Sequence, residues 1–414
     1  MLPALTARAL AGALMAPALL IAPTSATAAA PGAMASVSVT VVSASAGEQR
    51  PTPHTGHVVL VAWDGSDPRY LSRVATPNLH ALASKGRLTT DLGTFPTISN
   101  PSWTSVATGA WPEVHGNAAY TFDRTAGVAV GQTRTMNAQS IAEDIGASGK
   151  TFASVNWYIV QNHGATYGDP NQLYVQAPGG CTVRTDTALE LLAGRPVNSG
   201  GTPVTVPEVP DMLAIYCDEL DAIGHAEGSV SPNMAPALAN LDLQLGRLVQ
   251  ALKDAGTYDD TTIILTGDHG METFTHAFGQ AVLDALTKAG YHPQFLTSGQ
   301  KPAVGTDLVM VVGGAASVYL LGDKRTAHNI AAVATVLEHV KHVSVVHDRA
   351  ALADRHASSL LGDLVAEPEV GWSFGVNPPS GGVAGYHGLT AVQHPAFMIT
   401  GYGIRQNAQL DNLD

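Results

Sequence analysis

Three runs set the frame for this chain: "HVVLVAW" (57–63), "MLAIYC" (212–217) and "TTIILT" (261–266). Each is six or seven residues of mostly apolar character with little polar alternation, too short for a core helix and too apolar for a half-exposed strand. They read as strands buried on both faces. Helical patterns lie between them. "TPNLHALASKG" offers Thr76 as N-cap, Pro77 at the first helical position and Gly86 as the stop. A second helix is expected near Ser140–Ala147, ahead of a strand "TFASVN" (151–156). A longer one carries Leu238, Leu241, Leu245, Leu248 and Leu252 on one stripe and closes at Gly256. This order predicts an α/β fold, a mainly parallel sheet sandwiched by helices.

In such sheets ligands bind at the carboxyl ends of the strands. Asp64 follows the first run in "AWDG", Asp221 and His225 follow the second in "CDELDAIGH", and Asp268 and His269 follow the third in "LTGDHGM". Near the far end "GYHG" adds His387, beside the apolar run "AFMITG". One Asp at a strand end reads as a turn cap, and one Asp-His pair as a surface turn. Three strand ends that bring carboxylates and imidazoles to one sheet edge point instead to divalent cations. Asp221 and His225 are four apart, so one turn aims both at one ion. Mixed ligation of this kind suits zinc first, with manganese or iron as alternatives. The candidates outnumber the ligands of one tetrahedral ion, so two divalent metals are expected.

Composition narrows the partners. The 414 residues are 45% hydrophobic and 13% charged, with a formal charge of −13, so a sizeable core is expected. No Lys/Arg block is present, which argues against a nucleic-acid-binding surface. It does not argue against a small phosphorylated substrate, because bound dications invert the local field.

The set "WDG", "PTISNP…TG…PEVHG", "DAIGH", "DHGM" and "GYHG" resembles the alkaline phosphatase superfamily, in particular its type I phosphodiesterase and nucleotide pyrophosphatase branch, from about His57 to the C-terminus. The resemblance implies one metal held by Asp221, His225 and His387, and a second held by Asp64, Asp268 and His269. The nucleophile's oxygen would bridge toward the second. Counting back from Thr108-Gly109, the family's nucleophilic Thr falls on Ser99, with Thr97 as runner-up. Physical reasoning supports Ser99 separately. With Asn100 as N-cap and Pro101 in the first turn, it sits at a helix N-terminus, where unpaired N–H groups favour an alkoxide and a phosphate. Ser105 and Thr108, farther into that helix, are expected to pack or to back-bond to it.

What the resemblance implies is an exported hydrolase of phosphodiester or nucleotide pyrophosphate bonds acting through a phosphoseryl intermediate. No Cys-x-Pro-x-Arg segment of the sulfatase kind occupies the site, and no Arg stands in sequence beside Ser99 as in the monoesterases. The match has departures. The family's nucleophile is typically followed by an aromatic, Pro and Asn-His, whereas Asn100, Pro101, Ser102 and Trp103 stand here. The Ser-Asn-Pro run looks closer to phosphonoacetate hydrolases, so phosphonates and phosphomonoesters are alternative substrates. Asn100 and Ser102 are candidate substrate donors or simply helix caps. A catalytically silent relative with metal-stabilised binding surfaces is the reading from a different class.

Around this core, residues 1–28 read as a signal peptide for export, with Arg8, the apolar run "ALAGALMAPALLIA" and the small-residue site "SATA". Residues 29–55 read as a disordered linker and 56–414 as the catalytic domain, with a small inserted α/β cap at about 277–380. No membrane span is expected after cleavage, and oligomeric state is not legible. Cys181 and Cys217 read either as one disulfide or as two buried thiols. Trp157 and Tyr158 read either as an aromatic wall for a leaving group or as core. "GASGKT" (146–151) mimics a phosphate loop but runs from helix to strand, so it is a helix stop. "HVKHVSVVH" (339–347) reads as a strand with a solvated face rather than a third metal site, and His276 and His394 as groups behind the ligands. Chains of the family usually continue past "AFMITGYGIRQNAQLDNLD" with a further helix, so a truncated C-terminus is expected.

Overall fold

The computed structural model describes residues 56–406. The expected signal peptide and linker fall outside the described residues. The central sheet has seven strands: β1 His57–Trp63, β2 Arg87–Thr90, β3 Phe152–Val155, β4 Gln172–Val175, β5 Met212–Cys217, β6 Thr261–Thr266 and β7 Ala396–Gly401. Their spatial order is β2-β7-β6-β1-β5-β3-β4. All neighbours run parallel except β7, which lies antiparallel to both β6 and β2. The three apolar runs are adjacent central strands, as their lack of alternation requires.

Register places the chemistry. Trp63 stands opposite Cys217 and Ala62 opposite Thr266, so β1, β5 and β6 finish level. The residues that follow them, Asp64, the helix α5 Glu219–Glu227 and the Asp268-His269 pair, therefore emerge at one edge.

Both faces of the sheet carry helices. Val59, Val61 and Trp63 of β1 pack against α1 Pro77–Ala83, α4 Cys181–Leu192 and α6 Met234–Asp254. All five leucines of the α6 stripe are buried there, each contributing about 1.5–3 kcal/mol of burial. Leu60 and Ala62 face the other way, toward α2 Ser99–Thr108 and α3 Ile141–Ala147. The start of α3 carries a capping box between Ser140 and Glu143, and Gly149 at φ +72 ends the run, so "GASGKT" is the helix stop its direction indicated.

A second sheet of five strands follows in the chain, in the order Pro293–Leu296, Leu308–Gly313, Ala315–Leu320, Leu364–Pro368, Val343–His347. Helices Gly279–Lys288 and Ala327–Glu338 share a core with it that includes Val282, Leu286, Met310, Val318, Val333 and Leu337. The hairpin tip of this sheet reaches the central edge. Gly314 has φ +91, and a Cβ there would stand 1.6 Å from the carbonyl oxygen of His387, so only glycine fits. "HVKHVSVVH" is extended only over Val343–His347. His339 caps the preceding helix and His342 turns the chain at φ +74, a left-handed conformation that a continuous strand cannot hold, so pairing starts only at Val343. Among the described residues no helix is long and apolar enough to cross a membrane.

Candidate functional site

At the level edge of β1, β5 and β6 two clusters of side chains gather. Asp221, His225 and His387 offer ligand atoms within 4.8 Å of one another, and so do Asp64, Asp268 and His269. All six positions singled out from the sequence are thus brought together. In the first cluster Asp221 Oδ1 lies 3.3 Å from His225 Nε2 and 3.8 Å from His387 Nε2, and the two Nε2 atoms are 3.1 Å apart. In the second, His269 Nε2 lies 3.2 Å from Asp268 Oδ2 and 3.6 Å from Asp64 Oδ1. The clusters adjoin, with the His269 and His387 rings stacked at 3.6 Å.

The hydrogen bonds show what these atoms lack. Each histidine donates its Nδ1–H to a backbone carbonyl: His225 to Gly385 at 3.1 Å, His387 to Thr97 at 2.6 Å and His269 to Gly270 at 2.9 Å. In the neutral ring that leaves every Nε2 as a lone pair. Those lone pairs face one another and face Asp64 Oδ1, Asp221 Oδ1 and Asp268 Oδ2, three buried oxygens without a hydrogen-bond partner. Acceptors crowded against acceptors require a cation. Ligand atoms about 2.0–2.2 Å from a common centre at tetrahedral angles stand roughly 3.3–3.6 Å apart, a spacing that these edges, from 3.1 to 3.8 Å, bracket. The donor set therefore fits divalent-cation ligation.

Electrostatics agree. Burial, with the neighbouring charge of Asp221, pushes the Asp64 carboxyl up to about 7 against the donors that hold it down. Burial and the charges of Asp64 and Asp221 push Asp268 well above the usual carboxylate range. Burial also raises Asp221, but the close approach of His225 Nε2 and the surrounding imidazoles outweigh it and leave it at about 2. The Asp221 carboxylate, 3.3 Å from its Nε2, holds His225 above its ordinary value. Burial lowers His269 to about 4 and takes His387 well below its usual range, so both rings present lone pairs at neutral pH.

Ser99 is the first residue of α2, and its Oγ lies 3.2 Å from His269 Nε2. The cap differs from the expected one: Ile98, in extended conformation, precedes the helix and Asn100 stands inside it. Asn100 instead accepts the Tyr158 hydroxyl at 2.7 Å through Oδ1 and donates Nδ2–H to Thr133 O at 2.6 Å. Ser102 is buried and its Oγ pairs with Thr94 Oγ1 at 2.8 Å, which removes it from the substrate-facing candidates. Thr97 is fully buried: its Oγ1 accepts the Gly388 and Leu389 N–H groups at 2.8 and 3.1 Å, so it is a clasp and no nucleophile. Thr108 back-bonds to Thr104 O, and Ser105 pairs with buried His115. Trp157 is core, whereas Tyr158 is half-buried beside Asn100. His276 is exposed and stacks on Trp372, and exposed His394 bonds Asp91 O, so neither stands behind a ligand. Cys181 and Cys217 form a disulfide that ties α4 to the end of β5.

The family model of type I phosphodiesterase / nucleotide pyrophosphatase matches residues 58–389. The chain belongs to this family. A pyrophosphatase/phosphodiesterase of Schizosaccharomyces pombe, itself described as uncharacterized, is 28% identical over 52% of this chain and 44% of its own length. A bis(5′-adenosyl)-triphosphatase of Xenopus laevis is 28% identical over 54% of this chain and 49% of its own. The chain's matches thus span about half the length of these curated relatives. Among solved structures, murine ectonucleotide pyrophosphatase / phosphodiesterase 5 superposes with a TM-score of 0.64 at 20% identity, covering 85% of this chain and 90% of that one. An inactive variant of that murine protein in complex with AMP gives 0.65 at the same identity and coverage. These likenesses show the fold, the α/β architecture expected from the strand pattern.

Within this family member, two residues support Asp64 that the sequence reading gave no such role. Tyr216 donates its hydroxyl to Asp64 Oδ2 at 2.5 Å, and Trp103 donates Nε1–H to the same oxygen at 3.1 Å. They occupy one oxygen of Asp64 and leave Oδ1 for the cluster. A signal was present: a Tyr in an otherwise apolar buried strand must find a partner for its hydroxyl.

Proposed function

We propose that this chain is an exported two-metal hydrolase of phosphodiester or nucleotide pyrophosphate bonds, with Ser99 as nucleophile. The observation that carries the reading is the meeting of three partnerless carboxylate oxygens and three imidazole lone pairs within reach of one serine hydroxyl. Asp221, His225 and His387 would hold one divalent ion and Asp64, Asp268 and His269 the other, with Ser99 Oγ toward the second. Bound zinc would lower the serine hydroxyl's pKa and stabilise charge on the phosphoryl and leaving oxygens. Ser99 Oγ, its proton lost to solvent, attacks phosphorus in line, its bond to phosphorus forming as the leaving oxygen departs with the electron pair. Water then cleaves the phosphoseryl ester and restores the hydroxyl. The α2 N-terminus orients the phosphoryl group, and the Asn100 Nδ2–H not given to Thr133 is the candidate donor to one of its oxygens. The Cys181–Cys217 disulfide supports an oxidising compartment and hence export.

The test is elemental analysis with hydrolysis of aryl phosphate monoesters, aryl diesters, a nucleoside triphosphate and phosphonoacetate by wild type and Ser99→Ala. Two zinc equivalents, diester or pyrophosphate turnover and a loss of at least ~10³-fold in Ser99→Ala with metal retained are expected. Metal without turnover of any phosphorus compound would instead assign a silent binding protein.

A further inference from the structure

We propose that Arg134 makes this site selective for substrates whose leaving group is itself anionic, such as nucleoside polyphosphates, over diesters with a neutral leaving group. The inference rests on the hydrolase reading above and names its substrate class.

Residues 132–134 lie directly against the residue after the nucleophile. Asn100 N–H donates to Gln132 Oε1 at 3.2 Å, and Asn100 Nδ2–H donates to Thr133 O at 2.6 Å. The Arg134 guanidinium lies over the Tyr158 ring, 4.8 Å from its centroid, and Tyr158 in turn bonds Asn100. The other face of this wall is the centre itself: Tyr158 packs edge-on against Tyr216 at 5.3 Å, and Tyr216 bonds Asp64. An aromatic layer thus separates the cation cages from one exposed guanidinium.

Arg69 and Arg184, which bond residues beside this edge, are already ion-paired. Arg69 pairs with Asp67 and Glu272, and Arg184 with Asp218. Among the described residues Arg134 makes no ion pair; its contact is a neutral one, Nη1–H to Gln161 Oε1 at 3.2 Å. A guanidinium oriented by stacking and by an amide keeps donors for a phosphate, and its planar fork suits phosphate oxygens.

Charge counting gives it a task. Three carboxylates and three neutral imidazoles holding two dications sum to one positive charge, enough for the reacting phosphoryl group alone. Further phosphates on the leaving side bring negative charge that the cages leave unanswered. Arg134 is the cation on this side of Asn100 that can meet it.

The experiment uses the zinc-loaded full chain and the ratio of kcat/KM for a nucleoside triphosphate to that for bis(4-nitrophenyl) phosphate. Arg134→Ala is expected to lower this ratio about 10- to 30-fold, and Arg134→Lys to recover more than half of the loss on a logarithmic scale. Added salt should depress the ratio in wild type more than in Arg134→Ala. A ratio within twofold of wild type, or equal losses on both substrates as a stacking platform would give, overturns the assignment. Pyrophosphate affinity of the zinc-loaded Ser99→Ala protein, read by calorimetry, tests the same contact without turnover: it should weaken about tenfold on adding Arg134→Ala, and an unchanged affinity refutes the role. Failure of wild type to hydrolyse either substrate would sink the hydrolase reading while this binding measurement still judges Arg134.

Discussion

Thr97 lets the link between loop and ligand be weighed. Its hydroxyl oxygen accepts two buried N–H groups, from Gly388 and Leu389, and its carbonyl accepts the Nδ1–H of His387. Thr97→Val is close to isosteric but removes the acceptor, leaving both N–H groups buried without partners. Each orphaned donor costs about 1–3 kcal/mol, so the variant should lose ~2–6 kcal/mol of stability. The residues released are the two that follow His387, so its ring is freed to tilt away from Asp221 and His225. Outer contacts of this kind typically contribute about 10- to 100-fold to metal affinity. Thr97→Ser keeps the oxygen and loses only a methyl group, roughly 1 kcal/mol. Urea denaturation and zinc titration against a competing chelator, run on both variants, separate the effects. If Thr97→Val matches Thr97→Ser in both midpoint and zinc affinity, the clasp has no such role.

Two further outcomes follow from the Asp64 environment. Tyr216→Phe removes one of the two donors that occupy Oδ2, so zinc affinity of that cage should fall about tenfold while the fold persists, as checked by chelator competition and circular dichroism. Burial pushes Asp64 up to about 7 and holds Asp268 well above the usual carboxylate range, so below pH 7 the metal-free cage carries protons that an incoming cation must displace. Calorimetry in buffers of differing ionisation enthalpy should therefore show proton release on zinc binding at pH 6 that diminishes toward pH 8 as Asp64 ionises by itself. Release that does not vary over that interval would contradict the raised Asp64 value.

Much of this protein could be read from its residues in order. Buried parallel strands announce themselves by apolar runs that do not alternate, and the leucine stripe of α6 by its period, because both patterns record which faces must leave water. Five of the six ligand candidates stood out since strand ends are where such sheets expose chemistry, and His387 stood out through the "GYHG" motif. The three-dimensional arrangement decided the rest. Ser102, Thr97 and Asn100 are similar small polar residues within six positions, yet one pairs with Thr94, one clasps a loop nearly 300 residues away and one bonds Tyr158. Which partner a hydroxyl or amide finds depends on segments distant in the chain, and no local pattern encodes that. The same holds for Arg134, whose exposure is unremarkable in sequence and whose place over Tyr158 arises only when three separate segments meet at the edge of one sheet.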